Sequence, residues 1–126
     1  MNQEHIQRYS YPDYFPEGCP DPENVDDRER EVFRIIKEGL PMDKDFMSYK
    51  ELGKDEGCRA CGVSVYESLE AAKHRLKIQP SLGSHIARGQ IGGEVGVHRL
   101  TSQDSGHICW WPYVQVDRIR CFPEVV

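Results

Sequence analysis

The sequence predicts an α+β domain: a small mixed or antiparallel sheet, one principal helix, and an extended N-terminal arm rich in proline and aromatic residues. Three observations carry this. Leu69, Ala72 and Leu76 recur at helical spacing between Glu67 and Pro80. Short runs of strand-forming residues, separated by Gly, Pro, Ser and Asp clusters, fill the rest of the chain. Pro12, Pro16, Pro20 and Pro22 crowd the N-terminal segment, where each X-Pro step pushes the preceding residue out of helical geometry.

Residues 1–24 therefore read as the arm, and residues 25–126 as one domain. Tyr9, Tyr11, Tyr14 and Phe15 give the arm enough ring surface to pack along the domain. Val32-Phe-Arg-Ile-Ile is a β-branched run, read as a strand over residues 31–37, although the acidic front and the Gly39-Leu-Pro41 stop also fit a helix. A short helix is expected from Asp43 to Leu52, capped by Asp43 or Asp45 and stopped by Gly53. Val63-Ser-Val-Tyr66 alternates as a strand and feeds the principal helix, expected from about Ser68 to Ile78. Four further strands are expected at residues 85–91, 95–100, 107–111 and 116–122.

Composition bounds the function classes. The chain has 126 residues, 16 Lys plus Arg against 21 Asp plus Glu, and a net charge of −5. Length allows one domain, and 29% charged with 38% apolar residues suits a soluble globule with a modest core. The acidic balance disfavours nucleic acid, no apolar run spans a bilayer, and the start Met-Asn-Gln-Glu-His lacks a signal-peptide layout. A cytoplasmic location is the expectation. The five cysteines, Cys19, Cys58, Cys61, Cys109 and Cys121, are an odd number without an export signal, so free thiols and no disulfide are expected.

Several residues could carry chemistry. Cys58-Arg-Ala-Cys61 has the spacing that lets two sulfurs reach one zinc ion; His107, Cys109 and Cys121 could complete the set only if the late strands run beside that turn. The plainer reading makes both cysteines ordinary turn residues. Thioredoxin-type redox chemistry fits less well, because a strand pattern follows and no helix start lowers the thiol pKa.

In His107-Ile-Cys-Trp-Trp111, alternation sends His107, Cys109 and Trp111 to one face and Ile108 and Trp110 to the other. Trp111 beside a polar imidazole reads as a stacking platform, or else as sheet packed under the aromatic arm. Arg34 inside an apolar strand calls for a carboxylate or a ligand anion, and Ser64 between two valines either bonds a neighbour or points into a cleft. The glycine stretches at 53–57 and 92–96 lack a phosphate-loop context, and Lys73, His74, Arg75 and Lys77 read as a solvated helix face.

Phe33-Arg34 on an early strand and Val63-Ser64-Val65-Tyr66 on a strand before a helix resemble the arginine and serine strands of ADP-ribosyltransferase-like folds. The resemblance covers about ten residues. It implies that the arginine and the serine strand position a dinucleotide, with a glutamate on a later strand steadying the ribose cation. The chain departs from that pattern: Ser64 lacks a Ser-Thr-Ser context and no Glu-x-Glu pair follows, leaving Glu94 and Glu124 as the late carboxylates of that kind.

The sequence thus reads as a small cytosolic binding or accessory protein, taking a protein partner or small ligand through a cleft near Arg34, Ser64, Tyr66, His107 and Trp111. The alternative is a small nucleotide- or NAD-handling enzyme. There Arg34 holds phosphate, Ser64 or Tyr66 orients a ribose, His107 serves as acid or base and Trp111 stacks the base. A third reading is a zinc-stabilised module using Cys58 and Cys61.

Overall fold

A computed structural model describes residues 9–126; the first eight residues of the expected arm lie outside the described part. The elements are β1 (Arg30–Ile36), β2 (Val63–Tyr66), α1 (Leu69–Ile78), β3 (His85–Ile91), β4 (Val97–Ser102), β5 (His107–Trp111) and β6 (Glu124–Val125). The strands form one six-stranded sheet in the order β4-β5-β2-β1-β3-β6, with every pairing antiparallel. The fold is α+β.

β1 resolves its ambiguity as a strand because both flanks offer partners. It pairs with β3 along its whole length, from Arg30↔Ile91 to Ile36↔His85, and with β2 at Phe33↔Tyr66. A local helical preference cannot compete with that ladder. α1 begins where the Ser68 hydroxyl accepts from Ala71 N–H at 3.1 Å, and it buries Ala72 against the sheet.

Alternation sorts the strands into two faces. Val32, Ile36, Val63, Val65, Ala87, Ile91, Ile108 and Trp110 point to one, where Phe46 and Phe122, stacked at 4.9 Å, close over them. On the other face Phe33, Ile35, Tyr66 and Ile86 lie under α1. Further along that face Val97, Cys109 and Trp111 lie under Tyr11, Phe15 and Val25 of the N-terminal segment. No helix among the described residues is long and apolar enough to cross a membrane.

Four expectations are corrected. The helix expected from Asp43 to Leu52 is a single 3-10 turn, Asp43–Phe46, followed by irregular turns. The Asp45 carboxylate accepts from Lys37 N–H at 3.0 Å and Met42 N–H at 2.8 Å, and Phe46 is drawn into the core, so the chain leaves the helical path. The strand expected at 116–122 is a 3-10 turn, Ile119–Cys121, that delivers Phe122 to the core; Pro123 follows, and only Glu124–Val125 pairs with β3. The strand expected at 95–100 runs from Val97 to Ser102, because Gly96, at φ +123°, comes so close to Trp111 O that a Cβ would sit 2.3 Å from it.

The fourth correction concerns the thiols. Cys19 and Cys58 form a disulfide with Cα atoms 5.4 Å apart, and Cys61, Cys109 and Cys121 are free. Counting cysteines could not foresee this, because only the folding back of the N-terminal segment brings Cys19 to the Cys58 turn.

Candidate functional site

Between the part of the sheet covered by α1 and the part covered by the N-terminal segment, the face carries a polar strip. Ser64 on β2, Thr101 on β4 and His107 on β5 are half-buried there. The Ser64↔Cys109 and Tyr66↔His107 register places Ser64 diagonally from His107 on one face, and the irregularity between Leu100 and Ser102 turns Thr101 toward the same ring.

The hydrogen bonds have a direction. Thr101 Oγ1 donates to His107 O at 3.2 Å, so toward His107 Nδ1, at 2.5 Å, it acts as acceptor. Nδ1 then carries the proton and Nε2 presents a lone pair. Ser64 Oγ, 2.9 Å from Nε2, donates to it. The result is a fixed tautomer with a hydroxyl bonded to a neutral imidazole.

Electrostatics hold the ring neutral. Burial lowers the His107 pKa most, and the positive charges of Arg59, Arg75 and Arg34 lower it further, to about 4. Arg59 and Arg75 are exposed and form no ion pair among the described residues; Arg75 bonds Gln79 Oε1 at 2.6 Å. Tyr66 stands edge-on to the imidazole at 5.6 Å. It is buried, which pushes its phenol pKa up, so it walls the site.

Arg34 reaches this cluster in a role the sequence did not suggest. Its Nε donates to Asp45 O and its Nη1 to Ser64 O, both at 2.8 Å. The guanidinium thus ties β1 to β2 and to the 43–46 turn through carbonyl dipoles, with no carboxylate partner among the described residues. Burial lowers its pKa, while Tyr49, Asp45 and Tyr66 act in the opposite sense. Ser64, Tyr66 and His107 thus meet on one face of the sheet, while Arg34, which alternates with Val32 and Ile36 toward the other, reaches Ser64 at its backbone carbonyl.

Trp111 is not part of that group. It is 1% exposed beneath the N-terminal segment, and its Nε1 donates to Cys58 O at 2.9 Å. The stacking role expected for it is corrected, since no ligand ring can reach a covered indole. Sequence reasoning missed Thr101, which lies between the strands expected at 95–100 and 107–111, and Arg59. Arg75 was visible only as one of several helix cations, and nothing local marked it as facing His107.

A hollow of about 750 Å³ lies elsewhere, along β3, β6 and the C-terminal turns. Glu94, Cys121 and Glu124 line it, but Arg34, Ser64, Tyr66, His107 and Trp111 do not. Its arginines are engaged: Arg88 pairs with Glu31 at 3.5 Å and Glu124 at 3.2 Å, and Arg120 with Asp117 at 3.6 Å. Paired charges leave little attraction for a charged ligand. With the Cys19–Cys58 bond in place, no group of three or more His, Cys, Asp or Glu among the described residues is placed to hold a metal ion. Comparison of the chain with protein families, curated proteins and solved structures finds no match.

Proposed function

We propose that this protein is a small cytosolic binding module that takes a ligand through a phosphate or similar anionic group at the Ser64–His107 strip. One observation carries this reading: Arg34, Arg59 and Arg75 act together on a half-buried neutral imidazole without an acidic partner among the described residues. An anion placed there gains the attraction of several guanidinium groups in a setting less screened than open solvent. Ser64 and Thr101 are the hydroxyls beside it.

The reading has a signature in pH. A bound anion offsets the arginine field and raises the His107 pKa, so protonation and binding reinforce one another. Sulfate keeps its charge between pH 7 and pH 4.5, and its affinity should rise as the pH falls through that range. Calorimetric titration with sulfate, pyrophosphate, nucleotides and NAD tests this directly. Arg75→Gln should weaken binding several-fold, and unchanged affinity in Arg75→Gln and Arg59→Gln alike would overturn the reading.

A second reading, a nucleotide- or NAD-handling enzyme, is favoured by the Ser64 hydroxyl donating to a bare imidazole nitrogen. That is how a base prepares an alcohol for attack. Base stacking by Trp111 drops out of this version, because the indole is covered. Turnover of a bound nucleotide that vanishes in Ser64→Ala while binding persists would select the enzyme over the binding module.

A further inference from the structure

Four of the five cysteines pack into one region of the fold. Cys19, Cys61 and Cys109 belong to a single buried cluster, and Cys58 packs against it. They come from three distant parts of the chain: the N-terminal segment, the Cys58–Cys61 turn and the middle of β5. We propose that in the reduced protein Cys19, Cys58, Cys61 and Cys109 form a tetrathiolate site for a divalent ion of the zinc class, of which the Cys19–Cys58 disulfide is the oxidised counterpart.

The local geometry supports it. Cys58 and Cys61 flank one 3-10 turn, with Cys61 N–H donating to Cys58 O at 3.1 Å and Gly62 N–H to Arg59 O at 3.2 Å. Such a turn presents two sulfurs to one side, as tetrahedral coordination requires. The sulfur of Cys109 lies directly against Gly62, where a Cβ would come within 2.1 Å of it. Any other residue at position 62 would push Cys109 away from the turn. Cys19 closes the set, as the disulfide partner of Cys58 and a member of the same buried cluster.

A divalent ion with four thiolates carries a net charge of −2, and the cations Lys50 near Cys61 and Arg99 and Arg59 near Cys109 offset part of it. Without metal, burial raises the pKa of both thiols, Cys109 to about 12, and Glu56 and Glu51 add to the rise at Cys61, so it is the bound cation that would hold them as thiolates. Tyr11, Phe15, Val25 and Trp111 pack around these cysteines as a largely apolar surround. Soft thiolate donors in a tetrahedral set select zinc over calcium or magnesium. Cys121 packs against the core on the opposite face of the sheet and is excluded.

The chemistry balances. A dithiol reductant, of the kind that keeps cytosolic thiols reduced, supplies two electrons and two protons; the Cys19–Cys58 bond breaks and the reductant becomes a disulfide. Zinc then displaces the four thiol protons to solvent as four Zn–S bonds form. The N-terminal segment stays anchored in both states, by a covalent bond in one and by the metal in the other. The site shares no ligand with the proposed anion-binding strip, and either can fail without the other.

The test uses the full chain purified in reductant with zinc present. Elemental analysis should give one zinc per chain, and none after the Cys19–Cys58 bond is re-formed. Cobalt substitution should give the absorption of tetrahedral thiolate coordination. Competition against a chelator should show Cys19→Ser and Cys109→Ser losing at least about tenfold in affinity, with Cys121→Ser unchanged. A reduced wild-type chain without stoichiometric metal overturns the proposal, as does metal held equally well by Cys19→Ser and Cys109→Ser. If those variants fail to fold, the cobalt spectrum and stoichiometry of the wild-type chain decide alone.

Discussion

The two faces of the sheet use the same strands and the same alternation, yet they end differently. One face is closed by a continuous apolar layer in which Phe46 and Phe122 cover Val65, Ile108 and Trp110, and Trp110 Nε1 donates to Val95 O at 3.0 Å. The other is covered in two pieces, α1 over β1 and β2 and the N-terminal segment over β4 and β5. Where the covers part, half-buried polar side chains survive. A polar group tolerates that depth only when its hydrogen bonds are met, and the Ser64–His107–Thr101 chain meets them internally. The candidate site is thus a seam between two covers.

That contrast can be broken in order of expected effect. Trp110→Ala strikes the closed face and should cost about 3–5 kcal/mol in denaturant unfolding, the range for deleting a large buried ring. A loss under about 1 kcal/mol would mean that face is not sealed. Arg34→Met removes the tie between β1, β2 and the 43–46 turn. It should cost about 2–4 kcal/mol, because the carbonyls of Ser64 and Asp45 lose their donors.

Acid should act on the divided face. The folded His107 pKa, about 4, lies below its ordinary value of 6.5. The unfolded chain therefore takes up the proton first, and the His107 contribution to stability is complete above pH 6.5 and lost as the pH falls from 6.5 to 4. The loss should be on the order of 1–3 kcal/mol. Unfolding curves at pH 7 and pH 4.5 measure it, and His107→Gln should remove that part of the difference. If the variant keeps the full pH dependence, the imidazole is not the group responsible.

Ser64→Ala is a smaller perturbation. Losing the hydroxyl that donates to Nε2 should cost about 1 kcal/mol and raise the His107 pKa toward its ordinary value, since the bond favours the neutral ring. Imidazole proton shifts followed against pH would show it, and a static pKa would mean the bond is absent in solution. Arg75→Gln should be smallest for stability, within about 0.5 kcal/mol, because the side chain is exposed. Its effect belongs to anion affinity.

Much of the fold was legible along the chain. β2, β3, β5 and the body of α1 were readable because each carries its own periodicity: alternation in Val63-Ser-Val-Tyr66 and helical spacing in Leu69, Ala72 and Leu76. The 43–52 and 116–122 segments were misread because their shape depends on remote partners, the amides that Asp45 receives and the core slot that Phe122 fills. Ser64 and His107 could be singled out as polar residues in apolar strands. Thr101 and Arg59 could not, since nothing about an ordinary threonine or arginine marks it until a neighbouring strand is in place.

The amino-acid order alone determined the class of fold, the helix, most of the strands and the division of β5 into two opposed rows of side chains, because these follow from nearest-neighbour sterics and the period of the backbone. Tertiary structure decided what those rows meet. It placed Trp111 beneath the N-terminal segment, turned Arg34 onto backbone carbonyls and brought Cys19 to Cys58 across 39 residues. Contacts at that separation are fixed by how the layers close on one another, and chain order carries no local signal for them.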